Sequence, residues 1–185
     1  MIDDLITDAI RRMDKSVENV RTEFNGVRTG RASAALLDRI QVEYYGTPTP
    51  LKQLATINAP EPRLLTVQPF DPTSLKVIER ALQESDLGLT PSNDGKVIRL
   101  PIPQLTEERR RDLVKVVGRY AEEGRVAVRN VRRDLMHHLK ELVRDGDVGD
   151  DEERRAEERA QKLTDEHVKS IDELLKHKEA EIMEV

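Results

Sequence analysis

The chain contains no cysteine and no tryptophan, and only 3% of its 185 residues are aromatic. The lack of cysteine excludes disulfide bonds, thiol catalysis and cysteine-based zinc sites, and it suits a reducing compartment. So few aromatic rings argue against an aromatic-rich β-sandwich and against a single-stranded RNA chaperone, which needs rings on which bases can stack. Charged residues make up 36% of the chain, a composition that favours long amphipathic helices with solvated faces.

Long apolar runs, targeting signals and catalytic motifs are missing too. No run approaches the roughly 18 apolar residues of a membrane span, and the acidic start Met1–Asp4 lacks the apolar region of a signal peptide. We therefore expect no membrane association and a cytoplasmic location. A glycine-rich phosphate loop, a nucleophile elbow and paired inward carboxylates do not occur, and the four histidines lack the spacing of a metal site. We expect no enzymatic activity, no cofactor and no metal.

A stretch of about forty residues, from Thr106 to Asp145, has no proline and carries an apolar stripe with helical spacing. The stripe consists of Leu113, Val117, Tyr120, Gly124, Val128, Val131, Leu135 and Leu142. Its steps of three and four residues, with one step of seven, predict a single long helix with one buried face. Gly118 and Gly124 lie inside this helix, and each costs about 1 kcal/mol of helix stability relative to alanine.

Four arginines, which we call the arginine arc, lie along one flank of this helix. They are Arg125, Arg129, Arg132 and Arg133. At 100° per residue the first three share a narrow wedge, and their nearest candidate acids, Glu122 and Asp134, are too few to neutralise four guanidiniums. The protein has a net charge of −5, yet residues 106–145 hold eleven basic and eight acidic side chains, and residues 147–185 hold seven and fourteen. Either the arc binds RNA or another polyanion, or it is a solvated helix face.

The rest of the chain alternates between helical and extended patterns. Residues 2–29 predict a first helix, Asp150 starts a third with an aspartate cap, and residues 39–101 are rich in β-branched residues and proline. The third helix is predicted to bury Ala156, Ala160, Leu163, His167, Ile171, Leu174 and Ile182. In the extended region we predict a turn over residues 45–50, strands over 51–59 and 63–67, a helix over 73–86, and a hairpin joining 87–90 to 96–100.

Three long helices with one stripe each must pack together to bury those stripes. We therefore expect a three-helix bundle formed by residues 1–30 and 105–185, with residues 31–104 inserted as a small β/α/β domain. Two connectors join the parts, and a double connection permits hinge bending. The predicted hinge residues are Gly30, Arg31, Ala32, Ser33, Pro101, Pro103, Gln104 and Leu105. Arg28 and Arg31 flank Gly30 and either cap the helix end or bind an anion.

Six segments of the chain match those of a known family and occur in the same order as in that family. They are Val27–Ser33, Val42–Leu51, Ser85–Leu89, Leu105–Arg110, Arg125–Arg133 and Gln161–Asp165. With these segments the chain resembles the bacterial ribosome recycling factor family over essentially its whole length. The resemblance implies an α+β fold, in which a long antiparallel three-helix bundle carries an inserted β/α/β domain in an L shape.

The same resemblance implies a translation factor that recycles ribosomes. Such a factor binds the post-termination 70S ribosome in the region used by transfer RNAs, with its bundle on large-subunit ribosomal RNA and its inserted domain facing elongation factor G. Elongation factor G then hydrolyses GTP, and the subunits part and leave the mRNA. The resemblance extends the RNA contacts to Arg28 and Arg31, beside the arc, and we expect a monomer. Arg110 is a further predicted RNA contact, because a cation at the start of the long helix opposes the helix dipole unless an anion offsets it. The alternatives are a helical scaffold or an RNA-binding protein without recycling activity.

Overall fold

The computed structural model describes residues 1–184 and divides the chain into two compact units. The bundle unit comprises Met1–Thr29 and the chain from Glu107 onward, and the sheet unit comprises Gly30–Thr106. In chain order the elements are α1 (Ile2–Asn25), β1 (Gln41–Tyr44), β2 (Thr47–Pro50), β3 (Ala55–Glu61), β4 (Leu64–Pro69), α2 (Leu75–Gln83), β5 (Ser92–Asn93), β6 (Ile98–Pro101), α3 (Glu107–Arg144) and α4 (Asp150–Met183). None of the helices in the described chain is long and apolar enough to cross a membrane.

The bundle unit consists of α1, α3 and α4, each of which packs against the other two. Helix α3 has 38 residues and is therefore about 57 Å long. The first helix is shorter than predicted, because α1 ends at Asn25 and not at residue 29. Gly26 and Val27 each donate a backbone hydrogen bond to the last turn, after which the chain leaves the helix. A glycine at this point weakens the helix enough for the connector to begin.

The buried stripe of α3 differs from the prediction at two positions. Its buried residues are Leu113, Val117, Ala121, Gly124, Val128, Val131, Leu135 and Leu139. Tyr120 and Leu142 are only half-buried, and Ala121 and Leu139 take their places. The neighbouring helix comes very close here, since a Cβ placed on Gly124 would lie 2.3 Å from a methyl carbon of α1. The close approach favours a small side chain, Ala121, at the buried position one turn before Gly124. The Tyr120 ring lies at the border of the buried face.

Helix α4 also buries a different set of side chains from the one predicted. Its buried residues are Ala156, Ala160, Thr164, Ile171, Lys178 and Ile182, whereas Leu163, His167 and Leu174 are half-buried. Thr164 can be buried because its hydroxyl donates to the carbonyl of Ala160 at 2.8 Å. The Nζ of Lys178 lies 3.5 Å from Glu181. The residue before the helix is Gly149, which offers no side-chain cap, so the predicted aspartate cap at Asp150 was wrong.

The sheet unit contains two antiparallel sheets and one short helix. Strands β1 and β2 form one sheet, and the other has the order β3-β4-β6-β5. Helix α2 contributes Leu75, Ile78 and Leu82 to a core that includes Val42, Leu65, Val67, Ile98 and Leu100. The predicted α+β fold, with a three-helix bundle and an inserted β/α/β region, is confirmed.

Two local predictions in the sheet unit were wrong. Thr47–Pro50 is a strand, β2, rather than part of a turn. Its two prolines lie opposite Gln41 and Glu43 of β1, and a two-stranded sheet leaves an open edge where a missing N–H costs nothing. Leu87–Thr90 is irregular rather than a strand, because Gly88 has a φ of 65°. Leu87 and Leu89 nevertheless pack against the core.

Candidate nucleic-acid interface on the bundle

Arg125 is the most enclosed member of the arginine arc, with a side chain only 19% exposed. Its guanidinium lies 2.7 Å from a carboxylate oxygen of Asp172 on α4 and 3.0 Å from Glu122 on its own helix. Burial works against the charged form, but the hydrogen bonds and charges of Asp172 and Glu122 outweigh it and raise the pKa of Arg125. Arg125 therefore braces α3 against α4 and stays charged.

Arg132 is also tied to α4, through a neutral partner. Its guanidinium donates to the Oε1 of Gln161 at 2.7 Å. The amide nitrogen of Gln161 in turn donates to Asp165, one turn along α4, at 2.8 Å. This chain of hydrogen bonds orients the Arg132 side chain and leaves its charge without a direct counter-ion in the described part of the protein.

Arg129 and Arg133 are the outward members of the arc. Arg129 is 48% exposed and makes one long contact, 3.5 Å, to Glu122. Arg133 is exposed and forms no ion pair with any residue between 1 and 184. A cation that is already solvated and weakly paired loses little when it binds a phosphate. These two guanidiniums are therefore the most available groups of the arc.

The acids that neutralise the arc differ in part from the two that were predicted. Glu122 pairs with Arg125 as expected, but Asp134 does not serve the arc, because it pairs with Arg12 of α1 at 2.8 Å. Asp172 serves it instead, and it lies 47 residues away from Arg125 in sequence. No periodicity within α3 can indicate a partner on another helix, so residue spacing gave no signal that Asp172 and Gln161 would contact the arc.

The remaining arginines predicted to bind RNA lie apart from the arc in the chain. Arg28 is exposed in the bend that follows α1. Arg31 is exposed in the sheet unit, in the first connector. Arg110 is half-buried in the first turn of α3, and its Nε is buried without a hydrogen-bond partner in residues 1–184. An unpaired buried N–H costs about 1–3 kcal/mol.

The two predicted hinge segments are partly held by the sheet unit. The backbone N–H of Ala32 donates to Pro62 at 2.7 Å, and that of Ile102 donates to Arg63 at 2.8 Å. Ser33 caps a short helical turn over Ala34–Leu37, and Pro101 is the last residue of β6. Of the predicted hinge residues, Gly30 and Arg31 precede the first of these bonds in the chain, and Pro103, Gln104 and Leu105 follow the second. Gly30 has a φ of 77°, and a Cβ there would lie 3.1 Å from the Leu105 side chain.

Three of the four histidines lie within hydrogen-bonding distance of carboxylates. His137 and His138 both lie near Glu141, at 3.2 and 3.4 Å. The ring nitrogens of His167 lie 2.7 Å from Asp14 of α1 and 2.6 Å from the carbonyl of Leu163. No group of three or more potential metal ligands is present among the described residues. His167 thus fastens α4 to α1.

The class of protein defined by this fold and surface is an α+β protein that presents a row of cations on an exposed helix. Comparisons with known proteins identify the family. The family model for ribosome recycling factor matches residues 20–183. The chain belongs to the ribosome recycling factor family, whose members are translation factors.

Individual relatives agree with this over the full length. The ribosome-recycling factor of Rubrobacter xylanophilus is 62% identical over 180 residues, which cover 97% of each chain. A solution structure of a ribosome recycling factor is 45% identical, with a TM-score of 0.78 over 100% of this chain and 98% of its own. A further structure contains models of the T. thermophilus ribosome recycling factor and the E. coli elongation factor G bound to the E. coli post-termination complex. The matching chain in that structure is 48% identical to this chain, with a TM-score of 0.66 and complete coverage of both chains.

Proposed function

We propose that this protein binds the post-termination ribosome and, with elongation factor G and GTP, splits it into subunits and frees it from mRNA. Membership of the ribosome recycling factor family supports the activity. The structural relative in complex with the post-termination ribosome and elongation factor G supports the two partners. The protein itself catalyses no reaction in this proposal, and it acts in the cytoplasm as a monomer.

The arginine arc is the proposed contact with large-subunit ribosomal RNA, and its members have different tasks. Arg129 and Arg133 are exposed and weakly paired, so they bind phosphate directly. Arg132, held in place by Gln161, offers an oriented fork to a phosphate or a guanine edge. Arg125 keeps α3 and α4 in register through Asp172. Arg28, Arg31 and Arg110 extend the RNA contact.

The connectors are the proposed hinge. The backbone bonds of Ala32 and Ile102 tie the outer part of each connector to the sheet unit. Bending is therefore confined to Gly30 and Arg31 in one connector and to Pro103, Gln104 and Leu105 in the other. The helices of the bundle unit stay rigid while the sheet unit moves, so force applied by the elongation factor reaches the ribosome through a stiff body.

The helical-scaffold alternative requires an apolar stripe left open after the bundle has packed. In the described part of the bundle unit, the exposed large apolar side chains are Met1, Val126 and Met183. Two are at the ends of the chain and one stands alone in the middle of α3, so they form no stripe. This distribution favours recycling over a scaffold.

The decisive experiment measures light scattering of purified post-termination ribosomes after addition of the protein, elongation factor G and GTP. We expect the scattering to fall as the subunits separate, and the fall to require all three components. Tight ribosome binding with no splitting, when the elongation factor comes from the same organism, would leave an RNA-binding protein without recycling activity.

A further inference from the structure

The first connector contains a segment that no helix or backbone bond holds. Helix α1 ends at Asn25, whereas the bundle unit extends to Thr29. The last backbone hydrogen bond before the connector is donated by Val27, and the next along the chain is donated by Ala32. Within the described chain, the backbone of residues 28–31 makes no hydrogen bond to another backbone group. Whatever holds this segment to the bundle unit therefore involves side chains.

A side-chain hydrogen bond ties this segment to the last turn of α4. The hydroxyl of Thr29 donates to Oε1 of Glu181 at 3.1 Å, across 152 residues of sequence. Helix α4 packs against both other helices of the bundle unit, so Glu181 stands on a rigid support. Its side chain is 26% exposed. A hydrogen bond that is partly removed from water is electrostatically stronger than an exposed one.

The other oxygen of the Glu181 carboxylate faces a buried lysine. Lys178 is 9% exposed and is the only ionisable residue that is buried in residues 1–184. Its Nζ lies 3.5 Å from Oε2 of Glu181. A buried ammonium without a nearby anion is costly, so Lys178 favours the conformer of Glu181 that turns the carboxylate inward. The acceptor for Thr29 is thus held in place from its other side, one turn back along α4.

The hydrogen bond is placed where the hinge has to begin. Thr29 is the last residue of this part of the bundle unit, and Gly30 is the first residue of the sheet unit. Gly30 has a φ of 77°, a conformation that glycine adopts without steric cost. With Thr29 held, backbone rotation falls on Gly30 and Arg31. If Thr29 were released, the non-helical residues from Gly26 onward would join the moving segment, and Arg28, a predicted RNA contact, would move with them.

We propose that Glu181 is a positioning residue for the hinge: supported by Lys178, it anchors Thr29 on α4 and sets the inner limit of the first connector. The backbone bond of Ala32 sets the outer limit. The inference rests on the proposed function for the use that is made of the hinge, because a shorter mobile segment transmits more of the applied force to the bundle unit. The anchor itself is a property of the free protein and can be measured there.

The first test uses Thr29→Val, which removes the hydroxyl but keeps the shape of the side chain and the pair of Lys178 and Glu181. Backbone order parameters of the free protein are measured by NMR relaxation. In the wild type, Arg28 and Thr29 should be as rigid as α1, with values near about 0.85. Loss of a hydrogen bond to a charged acceptor favours the released connector by roughly tenfold or more, so in Thr29→Val both values should fall towards about 0.6.

Two further variants complete that measurement. Thr29→Ser keeps the hydroxyl and should restore the wild-type values. Thr22→Val, an exposed change on α1, is the matched control and should leave them unchanged. An order parameter of Arg28 that is the same in Thr29→Val as in the wild type would overturn the inference.

A second comparison assigns the effect to Glu181. Glu181→Ala is made together with Lys178→Met, so that no buried charge is left without a partner. This protein should loosen Arg28 as much as Thr29→Val does. Adding Thr29→Val to it should loosen Arg28 no further, because both changes remove the same hydrogen bond. Additive losses would show that Thr29 and Glu181 act independently and would contradict the anchor.

The splitting assay with elongation factor G and GTP then tests the role of the anchor. In Thr29→Val the maximal splitting rate should fall severalfold, while ribosome affinity changes little because Arg28 is one of several predicted contacts. A normal rate in a Thr29→Val protein whose connector is loosened would overturn the positioning role. If the wild-type protein fails to split ribosomes, the proposed function fails, whereas the order parameters still decide whether Glu181 anchors Thr29.

Discussion

The bundle unit and the sheet unit differ in their charge content and in the reason why they need glycine. The bundle buries one stripe per helix and exposes charge: outside residues 30–106 the chain has 23 basic and 28 acidic side chains. The sheet unit has few charges, and it depends on turn geometry at positions such as Gly46, Gly88 and Gly95, all of which have positive φ. In the bundle, by contrast, Gly124 is required by packing and has no unusual backbone angle.

This difference separates two kinds of contact. The bundle places cations at regular intervals along a rigid helix, an arrangement that suits a long polyanion. The sheet unit has equal numbers of basic and acidic side chains and exposes the rings of Tyr45 and Phe70, so it lacks the excess of cations that a polyanion needs.

The largest expected effect concerns the cations of the bundle unit. The double variant Arg129→Ala/Arg133→Ala should weaken ribosome binding by at least about a hundredfold, because each charge-assisted hydrogen bond contributes roughly 1.5–3 kcal/mol. The slope of log affinity against log salt should also fall by about 1.5. Binding is measured by filtration at several salt concentrations. The control removes two charges from the sheet unit, with Lys76→Ala/Lys96→Ala, and should change ribosome affinity far less. Equal losses of affinity in the two double variants would mean that the cations of the bundle unit have no special role in ribosome binding.

The next effect concerns packing in the bundle unit. Gly124→Ala should destabilise the protein by about 1–3 kcal/mol, since its new Cβ would lie 2.3 Å from Val20 and 3.2 Å from Ile171. A methyl group added at Gly118 would have no neighbouring atom within 4 Å, so Gly118→Ala should stabilise the helix by up to about 1 kcal/mol. Urea unfolding followed by circular dichroism measures both. Stabilisation by Gly124→Ala would mean that α1 and α3 are not in close contact at Gly124.

A smaller effect distinguishes Arg125, which links α3 to α4, from the exposed Arg129. Arg125→Ala should lower the free energy of unfolding by about 1 kcal/mol, as its pair with Asp172 is only partly shielded from solvent. Arg129→Ala should leave stability within about 0.5 kcal/mol of the wild type and should weaken ribosome binding more than Arg125→Ala does. Unfolding curves and binding curves on the same two variants test this. Unchanged stability in Arg125→Ala would show that Arg125 does not hold α3 against α4.

The smallest effect is a pH dependence in the sheet unit. Hydrogen bonds from the hydroxyl and the backbone N–H of Thr73 lower the pKa of Asp71 below its usual 3.8. The stability that Asp71 contributes is therefore present above pH 3.8 and is lost as the pH falls through its lower folded-state pKa. Amide hydrogen exchange at Thr73 should accelerate over that range. In Asp71→Asn this acceleration should disappear, whereas Val97, whose N–H donates to Asp94, should keep its own pH dependence.

Much of the sheet unit's detail lay beyond prediction from one sequence. Proline at 48 and 50 indicated a turn, but pairing with β1 on one side only made a strand possible. The alternation over residues 87–90 suggested a strand, yet Gly88 at positive φ interrupts it. Short elements of this kind depend on neighbours distant in sequence, and local propensity is a weak guide to them.

One sequence was enough to predict the three long helices, the position of the inserted sheet and the basic flank of α3, because each is a periodic or compositional property of a continuous segment. Which arginines remain available became clear only from the folded chain. Asp172 and Gln161 on α4 hold Arg125 and Arg132, while Arg129 and Arg133 point to solvent. Folding also places Tyr45 at a positive φ, with its ring against that of Tyr44. The physical reason is the same in each case: a side chain's availability depends on partners that the chain brings near only when it folds.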